Sequence, residues 1–263
     1  VTVTLGLVGC GAIGSEVVKA VANGTIRNVG RVVAYDVVKE KCLKLAEEHP
    51  RILECVDSLD ELLVREPKVV VEAASQEAVR ECGEKILKAG ADLVILSVGA
   101  LLDNELRERL VKAAKASGTK IHVPTGAIAG LDAVRAARLS GITKVELITR
   151  KPPKALGLEG LKEPKVLFEG PASEAVRRYP RNVNVVAALT LAAGVEATVK
   201  VMADPSVERN THEIIVESRA SRIRVRVENL PSPSNPRTSH LASLSAIELL
   251  RKILGGEEVV VGT

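Results

Sequence analysis

The stretch Val3-Thr4-Leu5-Gly6-Leu7-Val8-Gly9-Cys10-Gly11-Ala12-Ile13-Gly14 decides the fold. Residues 2–8 are an apolar run of strand length, and residues 15–23 carry the apolar spacing of a helix. Between them stands Gly9-x-Gly11-x-x-Gly14. Gly9 permits the tight turn, Gly11 lets a pyrophosphate approach the backbone, and Gly14 allows the helix to pack close to the strand. The backbone N–H groups of the opening helical turn, around Ala12 and Ile13, are then aimed at phosphate. Asp36 closes the next apolar run, residues 31–35, about twenty residues after the last glycine. A carboxylate there accepts hydrogen bonds from a ribose 2′-hydroxyl and repels a 2′-phosphate, which favours NAD. Lys39 and Lys41 stand close enough in sequence to soften that repulsion, so NADP stays open.

Working outward, strands and helices alternate as far as Val123. Strands are expected at residues 69–72, 92–97 and 120–123, and helices at 39–48, 77–89 and 104–117. That rhythm indicates right-handed crossovers and a doubly wound parallel sheet, a Rossmann domain over residues 1–123. Ser97 and Gly99 follow a parallel strand, where ligands of open sheets bind, and Ser97 is taken as a cofactor contact. After Pro124 the rhythm changes. Helices are expected at 131–139 and 183–193, and strands at 144–150, 166–168, 196–202, 213–218 and 222–228. The short late connections point to a second α+β domain with a mostly antiparallel open sheet, residues 124–235, for substrate binding and oligomerisation. Residues 230–236 hold three prolines and read as a linker. A helix over 238–254 then returns to the first domain, so that 236–263 joins it.

Hydrophobic residues are 46% of the 263, charged residues 27% and aromatic residues 1%. The core must therefore be Val, Leu, Ile and Ala, which suits buried parallel strands. A net charge of +4 helps attract an anionic ligand, but the basic residues are scattered and stacking aromatics almost absent. No nucleic-acid partner is expected. No apolar run reaches membrane-span length, and the start lacks the basic segment of a signal peptide. A cytoplasmic protein without membrane partners is expected. Cys10, Cys42, Cys55 and Cys82 show no metal-ligand spacing, so reduced thiols and no metal are expected. Gln76 and Met202 stand alone of their kinds amid abundant Lys, Arg and Glu, a thermophile pattern.

Four histidines are available for proton transfer. His49 sits at a helix end and reads as solvent-exposed, and His240 starts the last helix. His122 ends a sheet strand beside the expected nicotinamide cleft, while His212 begins a strand of the second domain. Position alone leaves both His122 and His212 as candidates. Three segments go further: the run His122-Val123-Pro124-Thr125-Gly126-Ala127-Ile128-Ala129-Gly130-Leu131-Asp132, then Tyr179-Pro180-Arg181-Asn182-Val183-Asn184-Val185, and Asn210-Thr211-His212-Glu213-Ile214. With Asn235-Pro236-Arg237-Thr238-Ser239 they resemble the L-aspartate dehydrogenase family over essentially the whole chain. Ala129 departs from the pattern, since relatives often carry Gly there. The resemblance implies oxidation of L-aspartate to iminoaspartate with NAD or NADP, feeding NAD biosynthesis. It implies His212 as the catalytic residue, Ala127 and Asn182 as cofactor contacts, and a homodimer or larger homo-oligomer formed through the second domain's sheet.

A dicarboxylate substrate needs cations or donors, and Arg237 beside Thr238 is one candidate, with Asn210 near the histidine. Asn184 and Asn182 precede a helix and could merely cap it. Two rival functions share the two-domain plan or the cofactor. A dihydrodipicolinate-reductase-like enzyme carries paired histidines and a following lysine, and no His-His pair occurs here. A redox sensor that binds NAD without turnover would leave His212 without a chemical role.

Overall fold

The computed structural model describes residues 2–158, 160–179, 184–233, 235–255 and 259. Two compact units divide the chain, Val1–Pro124 with Ser243–Val259, and Thr125–Ala242. In the first, the elements run β1 (Val3–Val8), α1 (Ala12–Ala22), β2 (Val29–Tyr35), α2 (Lys39–Glu48), β3 (Leu53–Cys55), α3 (Leu59–Val64) and β4 (Val69–Glu72). Then follow α4 (Gln76–Lys88), β5 (Asp92–Ile95), a 3-10 turn (Val98–Leu102), α5 (Asn104–Ser117) and β6 (Ile121–His122). The strand order is β3-β2-β1-β4-β5-β6 with every pairing parallel. This is the dinucleotide-fold order, whose direction reverses between β1 and β4. Leu5, Leu7, Val33, Val70, Leu93 and Val94 are fully buried, as a sheet covered on both faces requires.

The second unit contains α6 (Leu131–Arg138), β7 (Ile142–Lys151), β8 (Lys165–Pro171), α7 (Ala172–Arg178), α8 (Asn184–Ala193), β9 (Thr198–Ala203), β10 (Asn210–Ser218), β11 (Arg222–Asn229), β12 (Pro231–Ser232) and β13 (Asn235–Ser239). Its five-stranded sheet has the order β11-β10-β7-β9-β8, antiparallel except for β7 with β9. Strand alternation gives the sheet two unlike faces. Val145, Leu147, Ile214 and Val216 are buried on the face that meets α6 and α8. In α8 Val186, Ala187, Ala188, Leu189, Ala192 and Ala193 are all buried, the pattern of a helix packed on more than one side. The opposite face carries Glu146, Arg150, Lys200 and Glu213 with a ladder of ion pairs, including Arg150 Nη1 to Asp204 at 3.2 Å and Arg224 Nε to Glu213 at 3.1 Å.

Helix α9 (His240–Gly255) follows β13. Its residues Ala246, Ile247 and Leu250 are buried in the same apolar cluster as Leu5, Val17 and Val32. Burying one leucine this fully stabilises by roughly 2 kcal/mol. Among the described residues no helix is long and apolar enough to cross a membrane.

Several elements differ from the sequence expectations. Residues 230–236 are not a plain linker, because Pro231 pairs with Ser239 and Ser232 with Asn235 in a two-stranded ribbon. A two-stranded ribbon consists only of edges, where proline's missing donor costs no ladder bond. Those strand bonds also delay the last helix, which starts at His240 rather than Thr238. Cys42 and Cys55 are joined in a disulfide, and only Cys10 and Cys82 are free thiols. The pairing follows from tertiary packing, since α2 lies against β3. The second sheet, expected to be open, has its apolar side covered by helices: Ile214 and Val216 are buried there, with Val225 and Ile223 opposite them in β11. Short elements such as β3, α3 and α7 were too brief for periodicity to reveal.

Candidate active site

The glycine turn of the first unit is built for an anion. Gly9 has φ +100, and a Cβ there would lie 2.7 Å from the Ala73 carbonyl oxygen. At Gly14 a Cβ would stand 2.1 Å from the Gly9 oxygen, so only glycine lets α1 start this close to β1. Around Gly11, by contrast, a Cβ would meet nothing within 4 Å, which leaves an open cradle above the backbone. Three other helices of the unit, α3, α4 and α5, spend a side chain on their first turn: Ser58, Ser75 and Asp103 accept from Glu61, Ala78 and Leu106 N–H groups respectively. At α1 the N-cap is Gly11, with no side-chain cap and no acid in the first turn. The N–H groups near Ala12 and Ile13 are thus left for a phosphate, and this cradle fits a dinucleotide.

A cavity of about 450 Å³ opens beside the turn, lined by Gly9, Asp36, Val37, Ala74, Ser75 and Glu81 among others. It lies where β1 and β4 diverge, the position at which this topology binds its ligand. Asp36 is already partly engaged: Oδ2 accepts from the Cys10 N–H at 2.7 Å and Oδ1 from the Val38 N–H at 2.8 Å. Each carboxylate oxygen has two lone pairs, so the group can pin the turn and still receive ribose hydroxyls. Burial, and next Asp36, push the Cys10 thiol up to about 12, so it stays protonated. Lys39 is ion-paired with Asp57. Glu77 and Glu81 add two further acids to the cavity wall.

Glu72, which the sequence reading passed over, organises the neighbouring loops. It is buried at the end of β4. Its carboxylate accepts from the Ala74 N–H (2.9 Å), the Ser97 N–H (2.9 Å) and the Ser97 hydroxyl (2.8 Å). Burial raises its pKa against the pull of those donors. Ser97 therefore directs its hydroxyl and amide at Glu72, which alters the picture of a side chain offered to a cofactor. The clue in the sequence was an acid closing the apolar run 69–72.

His122 and His212 lie in different surroundings. His122 Nε2 is 3.1 Å from Asp92 Oδ2. Asp92 begins β5, whereas His122 ends β6 in register with Val94, so the ring reaches back along the sheet to the start of β5. His212 is buried in β10, directly opposite Thr149 of β7, and Nδ1 is 2.9 Å from the Thr149 hydroxyl. Its Nε2 lies 3.4 Å from Asn210 Nδ2. An amide nitrogen can only donate, so Nε2 is the accepting nitrogen and the ring proton sits on Nδ1, given to Thr149. Burial, and then the nearby positive charge of Lys151, lower the His212 pKa to about 4. The ring is a neutral base whose lone pair, among the described residues, meets one long contact.

Other sequence candidates fall as follows. The Ala127 carbonyl accepts from the buried Asn229 amide at 3.1 Å, which ties the turn before α6 to the end of β11. Thr238 lies in β13; Arg237 shares that strand, and its side chain lies outside the described residues, as does all of Asn182. His49, expected to be exposed, buries Nε2 without a hydrogen-bond partner, because it closes α2 where the chain turns into β3. Thr149 and Asn229 carried no signal in the sequence, since only strand register brings them to His212 and Asn210. Among the described residues no group of three or more His, Cys, Asp or Glu is arranged to hold a metal.

Comparison with known proteins adds to this geometry. Residues 132–253 match the family described as aspartate dehydrogenase, C-terminal, and residues 9–124 match the homoserine dehydrogenase NAD binding domain. An L-aspartate dehydrogenase of Methanosarcina acetivorans is 46% identical, covering 97% of this chain and 98% of its own length. One from Methanothermobacter thermautotrophicus is 43% identical, with 98% of both chains covered. Among solved structures, an aspartate dehydrogenase from Thermotoga maritima superposes with a TM-score of 0.81 at 30% identity, covering 100% of both chains.

Proposed function

Since the chain belongs to the aspartate dehydrogenase family, a family of nicotinamide-dependent oxidoreductases, we propose that it oxidises L-aspartate to iminoaspartate, with His212 as the base. The observation that carries this reading is the buried neutral imidazole of His212, oriented by Thr149. The reaction removes a hydride from Cα and a proton from the amine, and a nicotinamide held by the glycine turn would supply the hydride acceptor. His212 Nε2 takes the proton. A dicarboxylate arriving beside the ring opposes the field of Lys151 and raises the affinity of Nε2 for that proton. The product is an imine that supplies NAD biosynthesis.

Gly9, Gly11, Ala12, Ile13 and Gly14 hold the pyrophosphate, and Asp36 the adenosine ribose. Ala127 and Asn182 complete the cofactor contacts by family resemblance. NAD is preferred over NADP. Asp36, Glu77 and Glu81 place three carboxylates around the cavity, and two of the nearby lysines already have partners, Lys39 with Asp57 and Lys85 with Asp60 at 3.7 Å. A homodimer is proposed on the family resemblance alone, because the uncovered face of the second sheet is charged rather than apolar. The direct test mixes purified protein, NAD and L-aspartate and follows the absorbance of the reduced nicotinamide. Growth of that signal with L-aspartate supports the reading. Tight NAD binding with no signal would favour the sensor instead.

A further inference from the structure

The helix-covered face of the second sheet is apolar along Val145, Leu147, Ile214 and Val216, but it turns polar at one end. Register assembles that end. Thr149 faces His212 across β7 and β10, and Asn210 faces Asn229 across β10 and β11. Lys151 stands two residues beyond Thr149, and Asn210 two before His212, so alternation puts all five on one face. Arg150, between Thr149 and Lys151, points the other way, to Asp204 and Glu213.

Two atoms in this polar end have unmet capacity. Asn210 Oδ1 and Asn229 Oδ1 are buried acceptors with no hydrogen-bond partner among the described residues. Each amide is oriented by its other half. Asn229 Nδ2 donates to the Ala127 carbonyl at 3.1 Å, and Asn210 Nδ2 lies 3.4 Å from both His212 Nε2 and the Ser239 hydroxyl. A buried acceptor left unmade costs about 1–3 kcal/mol, so a fold that keeps two side by side holds them for a donor. Lys151 brings a partly buried ammonium, its pKa lowered by that burial, and its field reaches His212. Two amide oxygens and one cation complement a molecule that has N–H donors and a carboxylate.

We propose that Lys151 and Asn229 hold the amino-acid substrate, the Lys151 ammonium receiving one of its carboxylates and Asn229 Oδ1, beside Asn210 Oδ1, receiving an N–H of its amine. The assignment rests on the amino-acid oxidation proposed above. It places the amine next to His212 Nε2, the atom that takes its proton, and it supplies the carboxylate cation sought at Arg237 in the sequence.

The test compares Lys151→Met, Lys151→Arg and Asn229→Leu with the unmodified protein, using L-aspartate and the amine-free dicarboxylate succinate. Lys151→Met should raise the KM for L-aspartate and the inhibition constant of succinate by roughly 10–100-fold. NAD affinity should not change, and Lys151→Arg should recover part of the loss. Asn229→Leu should raise the KM for L-aspartate while succinate inhibits as before, because succinate has no amine to place. Unchanged KM and succinate inhibition in folded Lys151→Met overturn the lysine assignment. A rise in NAD dissociation constant alone in Asn229→Leu reduces that residue to a support for the Ala127 turn and overturns its part. If the unmodified protein does not oxidise L-aspartate, the reading above fails, and calorimetry on the NAD-loaded protein still judges Lys151. Succinate binding that Lys151→Met abolishes upholds the carboxylate site, whereas no binding to either protein overturns it.

Discussion

At the scale of single residues, His212 carries the sharpest expectations. His212→Ala should lower kcat by roughly 10²–10⁴-fold with NAD affinity retained, since the glycine turn holds the dinucleotide separately. His122→Ala is the control: it loses the contact with Asp92, so stability and not chemistry should suffer. The pH dependence has a definite sign. In the fold the ring titrates near 4, below its usual 6.5. Between those values the unfolded chain takes up a proton that the folded chain refuses, so stability is complete above 6.5 and falls as pH drops towards 4. The full difference is of order 3 kcal/mol. The melting temperature of the wild type should therefore decline more steeply across that window than that of His212→Gln; equal slopes would contradict the buried neutral ring. For the same reason the acid limb of kcat/KM set by this group in the free enzyme belongs near 4.

At the scale of elements, the turn from β1 into α1 works as one piece with the end of β2, because Asp36 grips the Cys10 N–H. Asp36→Ser should weaken NAD by roughly 10–100-fold, the worth of hydrogen bonds to a charged group. NADP should lose less, since the repulsion of its phosphate is relieved as the turn loosens. Equal loss for both cofactors would show that Asp36 supports only the turn. Gly14→Ala tests the packing directly. With a Cβ 2.1 Å from the Gly9 oxygen, α1 must move away from β1, and both NAD binding and melting temperature should fall together. Retention of both would contradict the close approach.

At the scale of the whole molecule, the disulfide and the ion-pair ladder bear on stability. Cys42 and Cys55 close a loop of sequence separation 13, and a loop of that size is worth about 3 kcal/mol through the unfolded chain. Disulfides persist in oxidising compartments and, within cells, chiefly in hyperthermophiles; the scarcity of Gln and Met is the ground in the sequence for expecting thermal stability. A melting temperature above the mesophile range of about 45–65 °C is expected, with a drop of several degrees on reduction. Melting inside that range, or indifference to reductant, would contradict this. Sedimentation should show a species heavier than the 27.9 kDa chain, and a single species at that mass would overturn the dimer.

By itself the sequence determined whatever depends on neighbours along the chain. The glycine turn, its strand and helix, the acid at Asp36 and the change of rhythm after Pro124 are local patterns, written by steric freedom and by the period of apolar residues. The candidate His212 was legible mainly through resemblance, because position alone left His122 beside it. Tertiary structure decided what depends on register and burial. It paired Cys42 with Cys55, turned the prolines of 231–236 into a ribbon, and covered the sheet face expected to be open. It sent His122 to Asp92, drew Ser97 to Glu72, brought Thr149, Lys151 and Asn210 to His212, and set Asn229 opposite Asn210. The physical reason is the same in each case. Which residues face one another across strands, and how far water is excluded between them, is set by packing between segments distant in sequence, and no local pattern encodes it.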